Sequence, residues 1–131
     1  MGFLRQYEIL YKKARTDLKV AKNILEDFEN GDNELDLEVI MFHLQQSVEK
    51  LLKALLAYNR LHFTKTHNIE YLLDVVYENN IELIDNANEL IPLTEFAVEG
   101  RYSIINDDLY DIDKYIKIVE ELLLFVGEKI K

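Results

Sequence analysis

A group of polar side chains with the chemistry of a binding site lies in residues 42–56, FHLQQSVEKLLKALL. At about 3.6 residues per helical turn, Gln46, Lys50 and Lys53 fall on one side of the predicted helix, with His43 at its edge. Ammonium, amide and imidazole groups hydrogen-bond phosphates and polar ligands. We therefore interpret His43, Gln46 and Lys50 as candidate ligand-binding residues.

Apolar residues on the same side of this helix indicate that the side contacts something. A purely solvated face is not expected to carry a phenylalanine, and alanines permit the close approach of another helix. The sequence predicts an interface with a second subunit, a ligand or both, formed by Phe42, Lys53, Ala54 and Ala57.

A purely structural interpretation of the same residues stays open. His43 and Gln46 could hydrogen-bond a neighbouring helix, because buried polar groups need partners. Glu49 and Lys53 have the spacing of an ordinary i,i+4 ion pair.

Two further polar motifs lie outside this helix. His67 precedes the third predicted helix in KTHN, where free backbone N–H groups favour anions, although capping is the alternative. Arg101 and Tyr102 follow Gly100 in a predicted loop. Arginine recognises phosphate bidentately, and Tyr102 could stack on a base or fill the end of the fold.

Patterns of known catalytic sites are absent from the sequence. It contains no HExxH, no Walker loop and no GxGxxG. Asp111 and Asp113 have the spacing of a magnesium-binding carboxylate pair, but no Gly-Ser phosphate loop precedes them. We interpret them as acids at a helix start, where the helix dipole stabilises them. The sequence predicts no catalytic residue, no metal site and no cofactor.

Length and composition limit the class of protein. The chain has 131 residues, 49% hydrophobic, which predicts a single domain over 1–131. The absence of cysteine excludes disulfides, and one proline and four glycines favour helices. A net charge of −10 means that any phosphate contact needs a local basic cluster. The longest uninterrupted apolar run, Leu122–Val126, is far below a membrane span, and no signal peptide is evident, so we expect a cytoplasmic protein.

Helical periodicity runs through the whole chain and predicts an all-α, up-and-down bundle of four to five helices. The predicted helices are Phe3–Phe28, Asp36–Asn59, Ile69–Glu78 with Asn68 or Thr66 as N-cap, Ile81–Glu99 with a kink or break at Pro92, and Leu109–Ile130.

Three segments, in this order and spacing, resemble the HEPN domain family (higher eukaryotes and prokaryotes nucleotide-binding). They are FHLQQSVEKLLKALL, THNIEYLL and EGRYSIINDDLYD. The resemblance covers about the whole chain and implies a helical bundle, commonly a homodimer. The family's polar positions match His43, Gln46, Glu49, Lys50, His67, Arg101 and Tyr102.

One branch of the family consists of metal-independent RNases, whose motif is an arginine followed four to six residues later by a histidine. Here Asn106 stands in the place of that histidine, and an amide cannot act as a general base near neutral pH. Asp107 and Asp108 would repel phosphate, and Ser103 replaces a proline common after Arg-Tyr. The departure favours binding over catalysis.

The resemblance implies a non-catalytic nucleotide- or substrate-binding subunit that works with a separate, minimal nucleotidyltransferase, in some cases as a toxin–antitoxin pair. Its ligand would be a nucleotide or another phosphorylated small molecule, rather than RNA or a membrane. The alternatives are a HEPN RNase toxin and a homodimeric helical scaffold without a ligand.

Overall fold

The computed structural model describes residues 5–31, 37–97 and 109–131, without the side chains of residues 109 and 110. Within these ranges the fold is a helical bundle without strands, which confirms the predicted all-α class. The helices are α1 (Gln6–Glu29), α2 (Leu37–Tyr58), α3 (Ile69–Glu78), a 3₁₀ helix (Ala87–Phe96) and α4 (Leu109–Lys129).

Helix α1 packs through a narrow apolar stripe. Its buried residues are Ala14, Leu18, Ala21 and Leu25, whose spacing of three and four residues keeps them on one face. The helix ends at Asn30 and Gly31, where Gly31 takes a φ of 105°, a conformation that glycine adopts without strain.

Helix α2 is the central element of the bundle. Twelve of its 22 residues are buried, and it contacts α1, α3, α4 and the 3₁₀ helix. Its contact with α1 is the most extensive, and there the Ser47 hydroxyl donates a 2.8 Å hydrogen bond to the Ala14 carbonyl oxygen. The prediction of one core side is therefore too narrow, because Gln45, Ser47 and Glu49 are buried as well.

The start of α3 is fixed by capping, and its predicted bounds are confirmed. The Asn68 side-chain oxygen accepts a 3.0 Å hydrogen bond from the Tyr71 backbone N–H, so Asn68 is the N-cap. The Ile69 backbone N–H donates to the Thr94 hydroxyl at 3.1 Å, which ties the 3₁₀ helix to this end of α3.

The predicted fourth α-helix over 81–99 is wrong in type and extent. A ten-residue 3₁₀ helix over Ala87–Phe96 takes its place, with Pro92 inside it. Proline has no N–H and clashes with the preceding turn of an α-helix. Asn80, with a φ of 56°, follows the C-terminal end of α3. The buried residues of the 3₁₀ helix are Ala87, Leu90, Leu93 and Phe96.

Helix α4 begins at Leu109, so Asp111 lies in its first turn, as expected of a helix-start acid. In the described part of the chain, no helix is long and apolar enough to cross a membrane.

Candidate functional site

The first half of the candidate site is organised by Asp17, a residue of α1. One carboxylate oxygen of Asp17 lies 3.0 Å from the Nδ1 atom of His43, and the other accepts a short hydrogen bond from the Lys50 ammonium. Asp17, His43 and Lys50 are each partly buried. We call these three residues the Asp17 cluster; it brings two predicted ligand-binding residues together through a carboxylate of the neighbouring helix.

The second half is organised by Glu49, which is 5% exposed. Its carboxylate accepts hydrogen bonds from Lys53 at 2.9 Å, His67 Nδ1 at 2.8 Å and Gln45 at 3.1 Å. Gln46 joins this group by donating to the Gln45 side-chain oxygen at 2.7 Å. We call Gln45, Gln46, Glu49, Lys53 and His67 the Glu49 cluster.

The electrostatics of Glu49 combine two opposing effects. Burial raises the pKa of its carboxyl group, because the charged form loses hydration. Hydrogen bonds from Lys53, His67 and Gln45 favour the carboxylate and together outweigh burial, so the pKa lies below its ordinary value. Glu49 is therefore ionised near neutral pH in spite of its burial.

The histidines of the two clusters are held in the same way. An ionised carboxylate only accepts hydrogen bonds, so Nδ1 of His43 and of His67 carries the hydrogen that faces Asp17 or Glu49. Each ring thereby keeps its Nε2 atom for another partner, and the His67 side chain is 63% exposed. A ring oriented by a carboxylate in this way is suited to binding a polar ligand.

The two clusters are balanced in charge, since Asp17 and Glu49 face the ammonium groups of Lys50 and Lys53. An anionic ligand that bound Lys50 would compete with Asp17 for it. The structural alternative, a hydrogen bond to a neighbouring helix, is met by His43, which contacts Asp17 of α1. Gln46 does not meet it, because its hydrogen bond goes to Gln45 of the same helix.

The predicted interface residues occupy different environments. Ala54 is fully buried in the chain's own core, so its assignment to a surface between subunits is wrong: its small side chain serves packing inside the bundle. Lys53 is held by Glu49, and the Phe42 ring contacts the His43 ring edge-on at 5.2 Å between centroids. Ala57 lines a groove of about 570 Å³ together with Arg5, Gln6, Tyr7, Tyr58 and Arg60.

Arg101 and Tyr102, and Asn106 of the absent RNase motif, lie outside the described residues. Within the described residues, no group of three His, Asp or Glu side chains is placed to hold a metal ion.

Sequence reasoning missed two residues that organise this site. Asp17 is the single acid in the stretch KKARTDLKVAK, and it is next to Leu18, a buried residue of α1. An acid at the edge of the apolar stripe is a sequence signal that could have identified Asp17 as a candidate. Gln45 gives no comparable signal, because its burial and its 3.0 Å hydrogen bond to the His67 carbonyl oxygen both depend on tertiary structure.

Comparison with known proteins gives one match. The sequence model of the family described as the HEPN domain matches residues 7–130, nearly the whole chain. No curated protein and no solved structure matches the chain.

Proposed function

Because the chain belongs to the HEPN domain family, we propose that it is a non-catalytic member that binds a nucleotide or another phosphorylated small molecule on behalf of a separate nucleotidyltransferase. The ligand would lie on the surface formed by the Asp17 cluster and the exposed edge of the Glu49 cluster. Arg101 and Tyr102 would complete the site.

The observation that carries this proposal is the paired orientation of His43 and His67. Each ring is fixed through Nδ1 by a partly or fully buried carboxylate, and both carboxylates are also bound to a lysine of α2. Such hydrogen bonds fix ring orientation before a ligand arrives, which lowers the entropic cost of binding. A face that served solubility alone would not need to hold its polar groups in place.

The roles follow from the chemistry of each group. Lys50 would exchange its Asp17 contact for a phosphate oxygen, and Arg101 would hold phosphate bidentately. Gln46 would orient the ligand through its amide, and Tyr102 would stack on an aromatic base.

Calorimetric titration of ATP and GTP into the purified protein tests the proposal. We expect binding by the wild type, and a loss of roughly tenfold or more in affinity for Arg101→Ala and Lys50→Ala, because each removes a charge-assisted phosphate contact. Lys117→Ala is the matched control, since Lys117 is exposed on α4. The proposal of a free-nucleotide site fails if neither nucleotide releases or absorbs heat at millimolar concentration.

Because no histidine follows Arg101 at the position of the RNase motif, we predict separately that the protein does not cleave RNA. RNA incubated for a long time with the protein, without added metal, should stay intact because no general base stands at Asn106. Cleavage that disappears in Arg101→Ala would contradict the proposal and support an RNase toxin instead.

The partner is tested through the neighbouring gene. A short open reading frame with a Gly-Ser…Asp-x-Asp pattern would encode the expected nucleotidyltransferase. Co-expression should then yield a complex that survives gel filtration, and a toxin–antitoxin pair should also show growth inhibition when one partner is expressed alone.

A further inference from the structure

A polar groove lies at the end of the bundle where α1 begins and α2 ends. Its volume is about 570 Å³, and its described lining residues are Arg5, Gln6, Tyr7, Ala57, Tyr58 and Arg60. The packing of α1 on α2 brings these two short segments together. No residue of the Asp17 cluster or the Glu49 cluster is among them, so the groove is a feature separate from the candidate site.

The groove carries positive charge without a matching acid. Two of the chain's four arginines line it, and no acidic side chain is among its described lining residues, although the net charge of the chain is −10. Glu8 accepts a 3.4 Å hydrogen bond from the backbone N–H of Arg5. Within the described residues, the Arg60 guanidinium has no hydrogen-bond or ion-pair partner. Both guanidinium groups therefore have N–H donors for an anion.

The backbone at Arg60 is in a conformation that arginine rarely adopts. Its φ is 59°, in the left-handed region that glycine or asparagine usually occupies after a helix. The N–H groups of Arg60 and Leu61 donate at 3.0 Å to carbonyl oxygens of the last turns of α2, which closes the helix. The left-handed residues after α1 and α3 are Gly31 and Asn80. Glycine would close α2 with less strain, so stability alone does not favour an arginine here.

Two tyrosines add a hydrogen-bond donor and ring surface to the same groove. The Arg5 Nη1 atom donates a 2.8 Å hydrogen bond to the Tyr7 hydroxyl oxygen, so the hydroxyl keeps its own hydrogen for a further acceptor. The Tyr7 and Tyr58 rings meet edge to face with 5.1 Å between centroids, and Tyr58 is 40% exposed. An exposed aromatic ring can stack on a flat ring of a ligand.

We propose that this groove binds an aryl phosphate, which is a phosphate monoester carried by a flat ring. The two negative charges of the phosphate balance Arg5 and Arg60, and the Tyr7 hydroxyl donates to a third phosphate oxygen while the ring lies against Tyr58. A single carboxylate would leave one guanidinium unbalanced. A long polyanion such as nucleic acid would be repelled by the acidic remainder of the chain.

NMR titration of the full chain with phenyl phosphate tests the proposal. At about pH 7 a phosphate monoester with a second pKa of about 6 is mostly a dianion. We expect the guanidinium Nε–Hε resonances of Arg5 and Arg60 to shift with one saturating dependence, while that of Arg15, an exposed residue of α1, stays in place. The imidazole resonances of His43 and His67 should not move. Phenol and inorganic phosphate, which each lack half of the ligand, should bind at least roughly tenfold more weakly.

Two variants separate binding from stability. Arg60→Gly introduces the residue that the left-handed conformation favours, so its melting temperature should be no lower than that of the wild type, while its affinity for phenyl phosphate falls roughly tenfold. Arg5→Gln should lose a similar factor in affinity. Arg15→Gln is the matched control and should bind as the wild type does.

A short peptide with one phosphotyrosine distinguishes the two sources of an aryl phosphate. Affinity roughly tenfold above that of phenyl phosphate would assign the groove to a phosphorylated protein, and equal affinity would assign it to a small molecule. Unmoved Arg5 and Arg60 resonances at millimolar phenyl phosphate, or full affinity in both variants, would overturn the proposal. A melting temperature of Arg60→Gly several degrees below wild type would overturn it too, because Arg60 would then serve the fold. Shifts confined to His43 and His67 would overturn it and leave the proposed nucleotide site standing.

Discussion

Glu49 is the residue on which the candidate site depends most. It is nearly buried and accepts hydrogen bonds from a lysine, a histidine and a glutamine. An amide in its place offers one acceptor oxygen instead of two and turns an N–H₂ donor toward one of the three donor groups. An unsatisfied buried group costs more than the hydrogen bond itself contributes, so Glu49 should be sensitive even to an isosteric change.

We predict that Glu49→Gln lowers the free energy of unfolding by roughly 1–3 kcal/mol near neutral pH, measured by urea denaturation. Glu70→Gln is the matched control, because Glu70 is exposed on α3. It should change stability by less than about 0.5 kcal/mol. An equal loss in both variants would mean that the three hydrogen bonds to Glu49 contribute nothing.

The lowered pKa of Glu49 makes this difference depend on pH. A carboxyl whose pKa is lower in the folded state contributes stability above the unfolded value, about 4.3 for glutamate. That contribution is lost as the pH falls through the folded value. The stability difference between wild type and Glu49→Gln should therefore be constant from pH 7 down to about 5 and shrink below it. A difference that grows on acidification would contradict the assigned direction.

Asp17 tests whether Lys50 is available to a ligand. In Asp17→Asn the amide oxygen can still accept from Nδ1 of His43 and orient the ring, whereas Lys50 loses the carboxylate that competes with phosphate. We therefore expect ATP to bind roughly threefold to tenfold more tightly while stability falls by about 1–2 kcal/mol. Asp74→Asn, an exposed site on α3, removes the same charge and is the control. Weaker nucleotide binding in Asp17→Asn alone would show that Asp17 itself supports the ligand.

At the scale of elements, the packing of α1 on α4 includes one close approach. A Cβ atom added at Gly127 would lie 2.5 Å from the Tyr11 hydroxyl oxygen, which donates to the Leu123 carbonyl oxygen at 3.2 Å. Alanine is favoured over glycine inside a helix by about 1 kcal/mol, but here it displaces Tyr11.

We therefore predict that Gly127→Ala is neutral or destabilising in the wild type, and stabilising by up to about 1 kcal/mol in a Tyr11→Leu background. Thermal and urea denaturation of the four proteins of the cycle measure this coupling. Equal stabilisation in both backgrounds would mean that Tyr11 does not restrict the space for a side chain at residue 127.

The elements also show how far the sequence determines this structure. The bounds of α3 follow from Asn68 and from a short apolar period, both local signals, and the prediction agrees with the structure. The 3₁₀ helix does not follow from local signals. Pro92 predicts a kink or break, but it does not predict whether two α-helical halves or a 3₁₀ helix forms. Contacts distant in sequence, such as the hydrogen bond from the Ile69 N–H to Thr94, are not visible in the local pattern.

The site itself was predictable as a set of residues on α2 and at His67, but its contacts were not. Helix geometry places His43, Gln46 and Lys50 on one side of α2, yet it does not say which helix covers them. Asp17 lies 26 residues before His43 in the sequence, and only packing of α1 on α2 joins the two. Ala54 is buried in a core cluster that gathers residues from all five described helices, so its burial too depends on tertiary packing.

At the scale of the whole molecule, the predicted contact between copies uses the partly exposed Phe42 and Ala57 of α2. If the chain associates through this surface, Phe42→Glu should give monomers, because the contact would bury an unpaired carboxylate. Light scattering after gel filtration measures the mass, with Lys117→Ala, an exposed site on α4, as the control. A Phe42→Glu protein that associates as the wild type does would exclude this surface.

The central claim is that a nucleotide binds beside His43 and His67. The sequence has three histidines, and His62 is exposed and belongs to neither cluster, so it serves as an internal control. NMR of the imidazole protons during titration with ATP or GTP reports on all three at once. We predict that the resonances of His43 and His67 shift with a common saturating dependence while that of His62 stays in place. Unmoved His43 and His67 at saturating nucleotide, or an equal shift of His62, would contradict the claim.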